Sequence, residues 1–126
     1  MKKEISGEGV PLAVGPYSAA IKVGNMIFTS GQLPINPATN ELVNDNVKKA
    51  TKQIFDNIKV ILEKEGFSLD DIVKVTVFSS SMSYFAEFNE YYSTLFNKPF
   101  PARSFIEVSK LPKDALIEIE VIAIKE

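Results

Sequence analysis

Two hydrophobic periods share this chain, and the switches between them mark out its elements. Between Asn46 and Glu65, apolar residues recur at Val47, Ala50, Ile54, Ile58, Ile61 and Leu62, the three-to-four spacing that lays one stripe along a helix. Asn and Asp residues suited to capping precede it, and Gly66 closes it. A second helix is predicted from Ser83, a capping residue, through Phe85, Phe88, Tyr92, Leu95 and Phe96, until Asn97-Lys98-Pro99 stops it. That aromatic stripe reads as core. Elsewhere the period is two. Lys2 to Ser6 predicts a short edge strand, and Tyr17 to Val23 and Met26 to Ser30 predict a hairpin turning at Gly24-Asn25. Ile72 to Ser79 reads as a strand in which Val73, Val75 and Val77 alternate with Lys74, Thr76 and Phe78. Two more strands, Ala102 to Val108 and Leu116 to Lys125, flank a turn at Leu111-Pro112-Lys113-Asp114.

In the last strand Ile117, Ile119, Val121 and Ala123 form one face, and Leu116, Glu118, Glu120, Ile122 and Ile124 the other. Both faces are largely apolar. Two helices cover only one side of a five- or six-stranded mixed sheet, so the other side is expected to be buried against another subunit. The pattern predicts an α/β (α+β) fold over residues 1–126 as one domain, assembled as a homo-oligomer.

Composition narrows the chemistry. With 126 residues, 45% of them hydrophobic, the chain can bury a real core. A net charge of -2 argues against a nucleic-acid partner. No apolar run reaches the roughly 20 residues that span a bilayer, and the start Met1-Lys2-Lys3-Glu4-Ile5 lacks the apolar core of a signal peptide, so a cytoplasmic location without a membrane partner is expected. There is no cysteine and no histidine. Thiolate nucleophiles, Ser-His-Asp catalysis and most transition-metal sites therefore fall away, and no metal site is expected. Gly7-Glu8-Gly9 lacks the third glycine and the strand-to-helix setting of a phosphate loop, so no nucleotide cofactor is expected either.

Among fourteen basic side chains a single one is arginine, Arg103. A planar guanidinium grips a carboxylate through two parallel hydrogen bonds, which lysine cannot do. The same residue could equally close a structural ion pair. Glu120, between Ile119 and Val121 in the last strand, is expected to be buried and perturbed, whereas Glu118 is expected nearer solvent. A chain reversal between the strands of Arg103 and Glu120 could bring the two together, across the sheet or across a subunit boundary, as a carboxylate grip beside a proton-handling acid or as a plain buried pair. Gly15-Pro16-Tyr17-Ser18 sets a phenol after a rigid turn, and Thr29-Ser30-Gly31-Gln32 sets hydroxyls and an unencumbered backbone at a strand end.

These strings carry a resemblance. Gly15-Pro16-Tyr17-Ser18, Gly24-Asn25-Met26-Ile27, Thr29-Ser30-Gly31-Gln32-Leu33-Pro34, Pro101-Ala102-Arg103-Ser104, and Leu111-Pro112-Lys113-Asp114 with Ile117-Glu118-Ile119-Glu120 follow one another as in the reactive intermediate deaminase (Rid) family, which the chain resembles over nearly its whole length, most of all in the RidA-type subgroup. The resemblance implies a chorismate-mutase-like fold, a homotrimer with clefts between subunits, and cofactor-free hydrolysis of enamines and imines such as 2-aminoacrylate, released by pyridoxal-phosphate enzymes, to 2-keto acids and ammonia. It implies Arg103 on the substrate carboxylate, Glu120 on the attacking water, and Tyr17, Ser30, Gly31, Asn89 and Phe105 lining the cleft. Many relatives carry cysteine where this chain has Phe105, which is expected to narrow the cleft or make it more apolar.

Imine hydrolysis needs an anchored substrate and an oriented water rather than a strong nucleophile, so the missing histidine and cysteine are no obstacle. The same cleft could instead serve a regulatory trimer that binds 2-keto acids without turnover. A ribonuclease reading has little physical support from this charge balance, and a Schiff base on a lysine such as Lys74 is formally open.

Overall fold

The computed structural model describes residues 1–126. The helical stripe forms α1 (Val47–Glu63), whose first turn is capped by the Asn46 side chain accepting the Lys49 N–H at 2.9 Å. At the other end Gly66 adopts φ +75, a left-handed conformation that favours glycine, and the Phe67 N–H returns to the Leu62 carbonyl at 3.0 Å. Ile54, Ile58, Ile61 and Leu62 are fully buried. Buried Asn57, on the same helix, donates to the Ile35 carbonyl at 2.8 Å and so ties the segment after Gly31 to the core.

The strands are β1 (Lys3–Ile5), β2 (Ala20–Val23), β3 (Met26–Thr29), β4 (Ile35–Asn36), β5 (Glu41–Leu42), β6 (Ile72–Ser79), β7 (Ala102–Glu107) and β8 (Ile117–Ile124); α2 (Phe85–Tyr92) lies between β6 and β7. Six of them form one sheet in the order β1-β2-β3-β8-β6-β7, and β4 pairs with β5 in a separate hairpin. All pairs in the large sheet are antiparallel except β6 with β7. A parallel pair needs a crossover, which α2 supplies. Ile27, Val75, Val77, Ile117, Ile119, Val121 and Ala123 join the α1 stripe and Phe88 in one apolar cluster. The mixed sheet with two helices on one face is thus as expected.

Local departures have local causes. The β4-β5 hairpin is too short to show a period. β2 begins at Ala20, which leaves Tyr17 in an exposed bend, and α2 ends at Tyr92, so Leu95 and Phe96 pack on the core from a turn beyond it. The valine alternation in β6 breaks at its start. A bulge between Ile72 and Lys74 turns Val73 out, 42% exposed, and buries Ile72 under the helices instead.

The other sheet face has no helix over it. Val23, Phe28 and Ile106 remain 39–44% exposed there. No helix is long and apolar enough to cross a membrane.

The bulge sets a prediction. Ile72→Ala should cost about 2–5 kcal/mol in urea unfolding and Val73→Ala no more than about 0.5 kcal/mol, whereas simple alternation from Val73 would reverse the order.

Candidate functional site

Strand pairing decides where each candidate side chain points. Val75 faces Arg103 on one side and Val121 on the other, while Thr76 faces Ser104 and Glu120. Paired residues share a sheet face. Arg103 therefore lies on the helix-covered face with buried Val75, and Glu120 lies on the open face. Of the two ways in which Arg103 and Glu120 could meet, the one across the sheet does not occur within the chain, because β6 separates β7 from β8 and the two side chains leave the sheet in opposite directions. Two half-sites result.

The first surrounds Arg103. Its guanidinium carbon lies 4.8 Å from the Tyr92 ring centre, 5.5 Å from Phe88, 5.6 Å from Phe85 and 5.9 Å from Phe105. Ring faces attract a cation, each by about 0.5–2 kcal/mol, and hold the guanidinium in place. No acid reaches it: every ion pair in the molecule uses lysine. The structural ion pair considered for Arg103 is thus absent from the chain. Arg103, Asn89, Tyr92, Ser93, Phe100 and Pro101 line an open hollow of about 320 Å³. The Tyr92 hydroxyl is buried without a hydrogen-bond partner, and burial pushes its pKa up to about 12, against a smaller opposing pull from Arg103, so it keeps its proton.

Phe105 departs from expectation. Its ring packs edge-on against Phe85 and Phe88, at 5.1 and 5.3 Å, and walls the guanidinium instead of lining the hollow. Its place opposite buried Val77 explains this.

The second half-site is a hollow of about 470 Å³ lined by residues that include Leu12, Tyr17, Ser30, Gly31, Pro112 and Glu118. Ser30 Oγ donates to the Ser18 carbonyl at 2.6 Å, which fixes the strand end. The Gly31 N–H takes part in no hydrogen bond of the chain. A Cβ on Gly31 would lie 2.9 Å from the carboxyl carbon of Glu118, closer than real contacts allow, so a side chain there would push the Glu118 carboxyl aside. Tyr17 is half exposed at the rim, where its hydroxyl accepts the Val14 N–H at 3.5 Å.

The acids have exchanged the roles expected of them. Glu120 is exposed, and Glu118 is the part-buried one. Burial pushes the Glu118 carboxyl above the usual glutamate range, and the charge of Glu120, two residues along the same face, pushes it further. Alternation puts both acids on one face; depth is decided by a contact that periodicity does not contain. Gln32 and Ile119 form an isolated main-chain bridge, which lays Gly31 over Glu118.

The family model described as endoribonuclease L-PSP matches residues 8–125. A RutC family protein from Pyrococcus horikoshii is 52% identical over 126 residues, 100% of each chain. The 2-iminobutanoate/2-iminopropanoate deaminase of Escherichia coli K12 is 48% identical over 128 residues, 99% of each. A crystal structure from Yersinia pestis, described as a protein of unknown function of the conserved Rid family, superimposes with a TM-score of 0.94 at 44% identity, covering 99% of this chain and 100% of that one.

A carboxyl-carbon NMR titration should find Glu118 titrating above the ordinary glutamate range, and Glu120→Gln should lower that midpoint by removing a like charge. An ordinary midpoint, unmoved by the substitution, would contradict this account of the acid.

Proposed function

The chain belongs to the Rid family, the family of the endoribonuclease L-PSP model, and we propose that it is an enamine and imine deaminase. In this reading it hydrolyses 2-iminobutanoate, 2-iminopropanoate and the 2-aminoacrylate that gives rise to the latter, released by pyridoxal-phosphate enzymes in the cytoplasm. The likeness to a deaminase of that substrate class supports it. The observation that carries it is a guanidinium steadied by four aromatic rings and left without any acid partner. Such a group is ready for the carboxylate that every one of these substrates bears.

The two half-sites become one if protomers assemble. The proposed homotrimer covers the open sheet face with neighbouring copies and sets the Arg103 edge of one protomer against the hollow holding Tyr17, Ser30, Gly31 and Glu118 of the next. Arg103 takes the carboxylate, with Asn89 beside it. Glu118 replaces Glu120 as the acid we assign to the water, because it is the carboxyl at the hollow. A base whose pKa is raised holds a proton more firmly once it has taken it. Water adds to the carbon of the protonated imine as Glu118 accepts one of its protons, giving the neutral carbinolamine. Glu118 returns that proton to the nitrogen; the carbon–nitrogen bond then breaks as Glu118 takes up the hydroxyl proton, which yields the 2-keto acid and ammonia, and the carboxylate is restored when this proton passes to the ammonia as ammonium. Glu120 contributes through its charge on Glu118. No cofactor is needed for this sequence.

With 2-aminoacrylate supplied by a serine dehydratase, the protein should speed pyruvate formation. Arg103→Ala and Glu118→Gln should each remove about 10²-fold or more of that acceleration, with Glu120→Gln milder. No acceleration at high protein concentration, together with saturable 2-keto acid binding, would favour the regulatory binding trimer.

Sedimentation should give three times the 14.0 kDa protomer mass. Phe28→Glu, which plants a charge on the open face, should yield smaller species that have lost activity. A wild type sedimenting as an active monomer would refute the shared cleft.

A further inference from the structure

Gln32 is among the few buried polar residues of the molecule, only 5% exposed, and nothing above gives its side chain a purpose. Its main chain bridges to β8, the N–H donating to the Ile119 carbonyl at 2.7 Å and the carbonyl accepting the Ile119 N–H at 3.1 Å. Its side-chain Nε2 donates to two further carbonyls, those of Ala19 and Ser30, each at 3.4 Å. The Ser30 carbonyl and the Gly31 N–H belong to one planar trans peptide, so they point in opposite directions. A donor that draws the carbonyl inward therefore turns the N–H outward, toward the hollow that Gly31 and Glu118 line. Glycine leaves the rotation of this peptide inexpensive unless something holds it. Ser30 is held from its other side, its N–H on the Ala19 carbonyl at 2.9 Å and its Oγ on the Ser18 carbonyl at 2.6 Å.

We propose that Gln32 is a positioning residue, whose carboxamide locks the Ser30–Gly31 peptide so that the free Gly31 N–H donates to the reacting end of the bound 2-imino or 2-keto acid. This rests on the deaminase reading for its ligand class. The carboxylate belongs to Arg103, so the Gly31 N–H, beside Glu118, serves the oxygen that water adds to the imine carbon. It acts on turnover more than on affinity. Removing such a donor outright costs about 10²–10³-fold in rate, and leaving it unfixed about tenfold.

The test uses Gln32→Met, similar in length but without a donor. In ¹⁵N spectra of the wild type titrated with 2-oxobutanoate, the Gly31 amide should shift. In the variant that response should vanish while the Arg103 Nε signal still responds, and kcat should fall about tenfold with KM within about twofold. If Gln32→Met does not fold, Gln32→Asn, which keeps the amide one methylene short, is measured in the same way. A folded variant with the wild-type Gly31 response and kcat overturns the proposal, as does a wild-type Gly31 amide that ignores the ligand. A wild type that shows the Gly31 shift, loses it in the variant, and yet hydrolyses no imine would sink the deaminase reading and leave the role of Gln32 standing.

Discussion

Residues that face each other across a strand pair must emerge on the same side of the sheet, and β6 transmits that constraint from β8 to β7 because it is bonded to one along each edge. Val75 carries Arg103 to the helix side; Thr76 and Phe78 carry Glu120 and Glu118 to the open side. No side-chain rotation can undo the assignment, because a one-residue slip would expose Val75 and Val77 and bury Thr76 and Phe78. The separation of the two half-sites is thus a consequence of packing the core. It also gives the uncovered sheet face a functional sense, since the same assembly that would cover it is the one that would complete the cleft.

Within each half-site, the surroundings prepare one group. Lysines on the surface satisfy acids in pairs such as Lys52 with Asp56 at 2.8 Å and Lys3 with Glu65 at 2.9 Å. Arg103 is instead surrounded by Phe85, Phe88, Tyr92 and Phe105, which offer attraction without hydrogen-bond acceptors. Its donors stay unspent. On the open side, a part-buried carboxyl next to a second carboxyl is held toward its neutral form, and the bare backbone of Gly31 approaches it where a Cβ would displace that carboxyl.

Much of this was legible in the chain as written. The 3.6-residue stripe of α1, the hairpin at Gly24-Asn25 and the alternation of β8 come from local periodicity, and the structure keeps them. The strings around Tyr17, Ser30, Gly31 and Arg103 lie at the two hollows of the fold. The start of β6 misled because Val73 continues a valine pattern that a bulge interrupts. The depth of Glu120 misled for a different reason: Glu118 and Glu120 have the same apolar flanks and the same face, so nothing in the strand distinguishes which is buried.

What the sequence by itself determined is the two helices and the strands of the main sheet, the largely apolar second face of that sheet, and the groups on offer for any chemistry, carboxylates, a lone guanidinium and the backbone, since composition and period are local properties that no fold can alter. What only the tertiary structure decided is the order of the strands, the insertion of β6 between β7 and β8, and the deeper burial of Glu118 than of Glu120. Those depend on contacts between residues far apart in the chain, the Gln32–Ile119 bridge above all, and a pattern read along one strand has no term for the depth at which another segment crosses it.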